Sequence, residues 1–193
     1  MTTIAFIRHG VTNWNLERRA QGQSDIPLNE EGVLQAKALG SRFEGEQWDV
    51  IYSSDLARAH ATALEIGEVL DLPVETDKRL RELSFGEIEG TNEAERVERW
   101  GKDWKDQDLK IEREEEILQR VKSFMKDIED HHHGKRIIVV SHGAFLNDLF
   151  SYLLSEGYEK CRLDNTSVTV MERDDEAWKL RLHNCSKHLS NTP

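Results

Sequence analysis

Short apolar runs alternate along the chain with longer segments of helical period, and this alternation limits the fold more than any other feature. Residues 4–7, 49–52 and 137–140 have the length and composition of strands. After each of them, apolar side chains recur every three or four positions, as on one face of a helix. Strands that alternate with helices in this way predict an α/β fold with a mostly parallel sheet.

The same periodicity places the individual elements. Asn29 and Asp55 are predicted to cap two helices. The helical faces are formed by Val33, Ala36, Leu39 and Phe43, by Leu56, Ala59, Ala63, Ile66 and Leu70, and by Ile117, Val121, Phe124 and Ile128. Residues 74–76 predict a short third strand, and residues 137–140, apolar on both faces, predict a central one. Alternation on either side of Asp174-Asp175 predicts a β-hairpin that closes the sheet.

The length and the middle of the chain predict its organisation. The 193 residues fit a single domain, 1–193. The helical period is lost from Leu80 to Gly90, which predicts a loop. A polar, charge-rich insertion follows at about 91–116, with one or two short helices expected in it.

Composition excludes several classes of partner. Lys and Arg number 26 against 37 Asp and Glu, for a net charge of -11. Nucleic acids and anionic membranes require a basic face, so neither is expected as a partner. The sequence shows neither a signal-peptide core nor a run of about 20 apolar residues. We therefore expect a cytoplasmic protein, a monomer or homodimer, in which Cys161 and Cys185 are reduced thiols.

The residues with the chemistry to act on a ligand follow the predicted strands. Arg8 and His9 follow the first strand, and His142 follows the central strand. Arg58 falls in the first turn of the helix after the second strand. Because the carboxyl ends of parallel strands meet at one edge of a sheet, these four side chains are expected to converge there. The helix that begins at Gly143 is expected to add its unpaired N–H groups as an anion site.

These residues belong to a longer series of motifs that resembles the histidine phosphatase superfamily, which includes the cofactor-dependent phosphoglycerate mutases. The motifs occur in the family's order and span essentially the whole chain. They are Arg8-His9-Gly10-Val11-Thr12-Asn13-Trp14-Asn15, Gln21-Gly22, Leu28-Asn29-Glu30-Glu31-Gly32, Tyr52-Ser53-Ser54-Asp55-Leu56-Ala57-Arg58-Ala59, Leu80-Arg81-Glu82-Leu83-Ser84-Phe85-Gly86-Glu87-Ile88-Glu89-Gly90 and Val140-Ser141-His142-Gly143.

The resemblance implies a fold and a role for each matching residue. The implied fold is a three-layer αβα sandwich, phosphoglycerate mutase-like, with one antiparallel strand in a mostly parallel sheet. His9 would be the nucleophile that takes the phosphoryl group, and Glu82 the proton donor and acceptor. Phosphate and substrate would be bound by Arg8, Arg58, His142, Asn15, Gln21 and Gly22. Arginines around His9 would also disfavour its protonation.

Hydrolysis of small phosphomonoesters, with broad specificity, is the activity that the resemblance favours. Neither a metal nor another cofactor is expected, because the arginines supply the positive charge. A mutase resembling the family would carry paired arginines in its insertion, whereas residues 99–116 hold only Arg99 and Arg113. The alternatives are a cofactor-dependent phosphoglycerate mutase and a pathway-specific phosphatase such as an α-ribazole phosphatase.

Other polar and aromatic groups are expected to be structural or solvated. The His131-His132-His133 run is expected at a solvated helix end, and Glu112 to Glu116 at a solvated helix start. His183 and His188, which flank Cys185, are expected to be surface or packing residues. For Trp100 and Trp104, lining a substrate pocket and packing the insertion are equally open.

Overall fold

The computed structural model describes residues 1–154, 157–174 and 177–191. The strands and helices run in chain order as follows: β1 Thr2–Arg8, α1 Asn13–Leu16, α2 Glu30–Arg42, β2 Val50–Ser53, α3 Ala57–Leu70, β3 Val74–Thr76, α4 Glu93–Trp100, α5 Glu114–His131, β4 Arg136–Ser141, α6 Gly143–Leu154, β5 Val168–Arg173 and β6 Trp178–Cys185. Among the described residues, no helix is both long and apolar enough to cross a membrane.

The six strands form one sheet in the order β3-β2-β4-β1-β5-β6. Neighbours from β3 to β1 are parallel, whereas β5 runs antiparallel to both β1 and β6. The mostly parallel sheet with one antiparallel strand is therefore confirmed, and so are the central position of β4 and the closing hairpin. Asp175, in the predicted hairpin turn, lies outside the described residues.

Alternate side chains of the central strands pack into two separate hydrophobic cores, one on each face of the sheet. Ile4 and Phe6 of β1 pack with α5 and α6, whereas Ala5 and Ile7 pack with α2 and α3. Each of these four side chains is at most 1% exposed. Because successive strand residues point to opposite faces, an apolar run buries both faces and helices must cover each. This arrangement confirms the three layers.

Two local predictions in the helical layer need correction. Asn29 caps α2 through its side chain as predicted, but Val33 is 38% exposed. Asp55 does not cap α3, because its carboxylate pairs with Arg81 at 2.7 Å. The carboxylate of Asp25, from the loop before α2, instead accepts from the N–H of Ala57 at 2.7 Å.

The segment from residue 78 to the start of α5 forms a small satellite of the main fold. The short 3₁₀ helix Lys78–Leu80 ends where the loop predicted for residues 80–90 begins, and a second one, Gly86–Ile88, lies within that loop. The insertion contains α4 and a third 3₁₀ helix, Trp104–Asp106, as predicted. Trp104 packs with Ile88 and Leu109, with Trp100 against them, so both tryptophans pack the insertion rather than line the cleft described below.

Candidate active site

The carboxyl edge of the sheet brings the two predicted histidines together. Arg8 of β1 lies in register with Ser141 of β4, and the N–H of His9 donates to the Ser141 carbonyl at 3.0 Å. The residues that follow this pair, His9 and His142, therefore leave the sheet at the same level. The ring centroids of His9 and His142 are 5.2 Å apart, and both side chains are buried.

The His9 ring is held in the tautomer that a nucleophile needs. Its Nδ1 lies 2.7 Å from the Gly10 carbonyl oxygen, which can only accept, so Nδ1 carries the proton and Nε2 keeps its lone pair. Burial lowers the pKa of His9 well below its ordinary value, and the charges of Arg58 and Arg8 lower it further. The predicted effect of the arginines is thus confirmed in direction, but burial contributes more.

His142 is oriented by the second strand. Its Nε2 lies 2.9 Å from the hydroxyl of Ser54, which in turn accepts from the N–H of Leu56 at 3.3 Å. The Ser54 hydroxyl can therefore donate to Nε2 and leave the ring proton on Nδ1, which is buried without a partner. Burial, followed by the charge of Arg58, lowers the pKa of His142 well below its ordinary value.

The two arginines are anchored by carbonyl groups through their terminal nitrogens. Arg58 donates to the carbonyls of Ser24 at 2.8 Å and Gly22 at 2.7 Å, and Arg8 donates to that of Leu163 at 2.5 Å. The Nε of each arginine is buried and has no partner. Burial lowers the pKa of Arg58 to about 10, which still leaves it charged at neutral pH.

Three buried donors without a partner therefore belong to the residues that converge at this edge of the sheet: Arg8 Nε, Arg58 Nε and His142 Nδ1. Buried polar groups are almost always paired, so a cluster of unpaired donors indicates an acceptor-rich ligand. The fourth such atom in the described residues, Trp178 Nε1, lies beside Thr2 at the opposite end of β1. Donors of this type and charge suit the oxygens of a phosphate group.

Glu82 occupies the helix end that was predicted to bind the anion. Its carboxylate accepts from the N–H groups of Phe145 at 2.8 Å and Ala144 at 3.2 Å, at the start of α6, and from that of Leu83 at 3.1 Å. The expectation that the α6 N-terminus offers unpaired donors to a ligand is therefore wrong for the N–H groups of Ala144 and Phe145. Those donors instead fix a buried carboxylate, 8% exposed, at the edge of the same site.

The predicted neutral groups lie beside the charged ones. The Asn15 Oδ1 accepts from the N–H of Thr12 at 3.0 Å, and the Gln21 Oε1 accepts from the Thr12 hydroxyl at 3.0 Å. Both side-chain amides therefore turn their oxygens inward and keep their NH₂ groups available. Gly22 has a φ of +52°, and a Cβ at this position would lie 2.0 Å from the Glu89 carboxylate, so only glycine fits.

A cleft of about 580 Å³ leads to this site and contains groups that the sequence did not reveal. Arg8, Asn15 and Glu82 line it, together with Trp14 and Phe85. Four further arginines also line it: Arg18, Arg19, Arg96 and Arg162. None of these four arginines follows a predicted strand, and Arg162 lies in the segment between α6 and β5. No signal in the sequence could have assigned them to the cleft.

A larger cavity of about 840 Å³ lies elsewhere, against α5. Its charged groups include Arg79, which pairs with Asp77 and Asp127, and Arg120, which pairs with Glu112. Glu112 is therefore a partly buried ion-pair partner rather than part of a solvated helix start, which is a further correction. These charges satisfy one another, and Arg8, Asn15 and Glu82 line the smaller cleft and not this cavity, so the smaller cleft is the candidate site.

The remaining histidines lie outside the cleft. His131 and His133 are exposed at the end of α5, and His132 contacts the Tyr52 hydroxyl at 2.9 Å. His188 lies between Arg42 and Thr166, and His183 packs on Tyr158. Within the residues that the structure describes, no group of three His, Cys, Asp or Glu side chains is placed to hold a metal ion.

Fold and site together define a class, namely an α/β enzyme whose sheet edge accepts a phosphate group. The family model described as histidine phosphatase superfamily (branch 1) matches residues 4–186, and the chain belongs to this superfamily.

Relatives cover the chain almost completely. The chain is 32% identical to the uncharacterized phosphatase PhoE of Bacillus subtilis (strain 168), over 98% of both sequences. It is 31% identical to phosphoserine phosphatase 1 of Hydrogenobacter thermophilus, over 98% of this chain and 95% of the relative. The solved structure of Bacillus stearothermophilus YhfR superposes with a TM-score of 0.87 at 30% identity and covers 98% of this chain and 100% of its own. These relatives place the chain among enzymes that hydrolyse phosphate esters.

Proposed function

We propose that the chain, as a single histidine phosphatase domain, hydrolyses small phosphomonoesters through a phosphohistidine on His9, with broad specificity and without a metal. The observation that carries the proposal is the group of three unpartnered donors at the same edge of the sheet as a neutral histidine. Phosphoryl transfer depends mainly on positioning and on charge stabilisation. The guanidiniums of Arg8 and Arg58, which supply that charge, are the reason to propose a metal-independent reaction.

The geometry supports a two-step reaction. In the first step, the Nε2 lone pair of His9 forms a bond to phosphorus while the ester P–O bond breaks, and Glu82 gives a proton to the leaving oxygen. In the second step, water attacks the phosphohistidine, its proton goes to Glu82, and the N–P bond breaks to release inorganic phosphate. Arg8, Arg58 and His142 hold the phosphoryl oxygens throughout, with Asn15, Gln21 and the Gly22 turn beside them.

The position of the insertion favours hydrolysis over isomerisation. Arg96 is the arginine of the insertion that lines the cleft, whereas Arg113 lies in the other cavity. Arg96 is itself held by Thr91, through its side-chain oxygen at 2.9 Å and its carbonyl at 2.6 Å. Among its described residues, the insertion therefore presents no pair of free arginines to the cleft, which is the feature that the resemblance associates with a mutase, and this favours attack by water on the phosphoenzyme.

His9→Ala tests the proposal directly. We expect this variant to lose turnover of p-nitrophenyl phosphate and to lose labelling by a radioactive phosphomonoester, because the other buried histidine, His142, has its Nε2 lone pair directed to the Ser54 hydroxyl at 2.9 Å. Phosphate release is measured without any bisphosphate cofactor and in the presence of a chelator. His133→Ala, which removes an exposed histidine, is the matched control and should keep both activities.

Each outcome of that experiment is informative. Full turnover or labelling in His9→Ala would exclude His9 as the nucleophile. Dependence of the wild type on a bisphosphate would identify a mutase, and inhibition by the chelator would show that a metal takes part.

A further inference from the structure

Two arginines at the mouth of the cleft have no partner in the protein. Among the arginines of the described residues, Arg18 and Arg162 are the two whose side chains make no hydrogen bond, ion pair or ring contact, and both line the cleft. Their neighbours differ in this respect. Arg19 is tied to Glu95 and to the Gly90 carbonyl, and Arg96 to Thr91 and the face of Trp104. Arg19 and Arg96 are therefore held in the wall of the cleft by other protein groups, whereas the guanidiniums of Arg18 and Arg162 remain available to bind a ligand.

The backbone at Arg18 adds a second, independent observation. After α1 the chain turns back on itself, with the Arg18 N–H on the Asn15 carbonyl and the Arg19 N–H on that of Trp14. This turn puts Arg18 at a φ of +55°, in the left-handed region. A side chain there is strained in a way that glycine would avoid. Such strain is concentrated at functional sites, and here it falls on a residue that lines the same cleft as Asn15.

Arg162 reaches the cleft from the segment between α6 and β5, far in sequence from Arg18. The next residue, Leu163, supplies the carbonyl that anchors Arg8. The positive charge of Arg162 contributes to lowering the pKa of Arg8, so the two guanidiniums interact electrostatically. Arg8 and Arg162 also line the same cleft of about 580 Å³, so a substrate whose phosphate meets Arg8 can present a second group to Arg162.

We propose that the preferred substrates carry a second anionic group, a carboxylate or a further phosphate, which Arg18 and Arg162 bind at the mouth of the cleft. This inference rests on the proposed function, because it describes the part of the substrate that leaves with the ester oxygen. It assigns to this chain two specificity-determining residues outside the phosphate pocket. A chain with net charge -11 would otherwise repel such doubly anionic molecules.

Matched substrate pairs test the proposal. O-phosphoserine and phosphoethanolamine differ only in the carboxylate, and a sugar bisphosphate differs from its monophosphate only in the second phosphate. We expect the wild type to favour the anionic member of at least one pair by about tenfold in kcat/KM, as a charge-assisted hydrogen bond predicts. The pair that responds identifies which anionic group is recognised.

The variants Arg18→Gln and Arg162→Gln then connect that preference to the two arginines. Each should lower the ratio of kcat/KM within the responding pair by several-fold, and the double variant should bring the ratio close to one. Arg181→Gln removes the same charge from an exposed position on β6 and should leave the ratio unchanged. Because the side chains at 18 and 162 are exposed, all variants should keep the wild-type melting temperature.

The outcomes separate this inference from the function on which it depends. Equal kcat/KM within both pairs, or an unchanged ratio in the double variant, would overturn the role of the two arginines. If p-nitrophenyl phosphate is still hydrolysed through a phosphoenzyme in that case, the proposed function stands without the inference. If the wild type neither hydrolyses p-nitrophenyl phosphate nor becomes labelled, the proposed function has failed and the inference fails with it.

Discussion

Replacing Glu82 by glutamine tests two roles of one carboxyl group, namely stabilising the start of α6 and giving a proton to the leaving group. The side chain is 8% exposed and accepts three backbone N–H groups, two of them at the start of α6. Glutamine preserves the shape, but its NH₂ group cannot accept, so at least one buried N–H loses its partner. That loss costs about 1–3 kcal/mol. Removing a negative charge from the helix N-terminus adds about 0.3–1 kcal/mol.

We therefore expect Glu82→Gln to lower the free energy of unfolding by about 2–3 kcal/mol, measured by urea denaturation. At this chain length, the melting temperature should fall by about 2–4 °C for each kcal/mol. The variant should also lose more kcat on an alkyl phosphate than on p-nitrophenyl phosphate, because only the alkoxide needs a proton to leave. Glu87→Gln, at an exposed carboxylate in the same segment, is the control.

Two results would refute this reasoning, each for one of the tasks. Wild-type stability would show that the carboxylate does not secure the start of α6. An equal loss of kcat on both substrates would show that Glu82 is not the acid for the leaving group.

Two further predictions concern the histidines and the loop behind them. Because the pKa of His9 is lowered, kcat/KM should not fall as the pH drops through about 6.5, the ordinary pKa of histidine, and should fall only at clearly lower pH. His9 and His142 remain neutral in the folded state, whereas the unfolded chain takes up protons as the pH falls. From about pH 6.5 to about 5.5, the free energy of unfolding should therefore decrease by about 1 kcal/mol for each of these histidines. A constant free energy of unfolding over that range would contradict their lowered pKa values. Asn165→Ala removes the NH₂ group that donates to the His9 carbonyl at 2.9 Å and to Asn15 Oδ1 at 3.3 Å. It should lower stability by about 1 kcal/mol and kcat/KM by about tenfold, and an unchanged kcat/KM would show that Asn165 positions neither group.

The sequence could predict the part of the site that depends on strand register. Apolar runs that bury both faces of a strand fix where β1 and β4 end, and the register of Arg8 with Ser141 then brings His9 and His142 together. Arg58 was predictable for a similar reason, since α3 begins directly after β2. These placements depend on patterns within a few residues of each group.

The predictions that failed concern partners that lie far apart in the sequence. Asp55 and Gly143 have the local character of a helix cap and of an anion-binding helix start. In the folded chain Asp55 pairs with Arg81, and the start of α6 receives Glu82. A local sequence pattern shows which groups need a hydrogen-bond or ion-pair partner, but the tertiary structure determines which residue that partner is. The same limit hid Arg18 and Arg162, whose importance comes only from the cleft that they share.

The charge of the site explains how an acidic chain can act on an anion. In the phosphate pocket two guanidiniums, the partly buried Arg8 and the buried Arg58, face the single carboxyl group of Glu82, and both histidines are neutral, so the pocket is positive although the whole chain is negative. A buried charge acts more strongly than an exposed one because little water screens it. A phosphate dianion would reverse the sign of the pocket, and Arg18 and Arg162 at its mouth would then attract the rest of the substrate. We therefore expect binding to weaken with rising salt concentration more for doubly anionic substrates than for p-nitrophenyl phosphate, since exposed cations are the ones that salt screens.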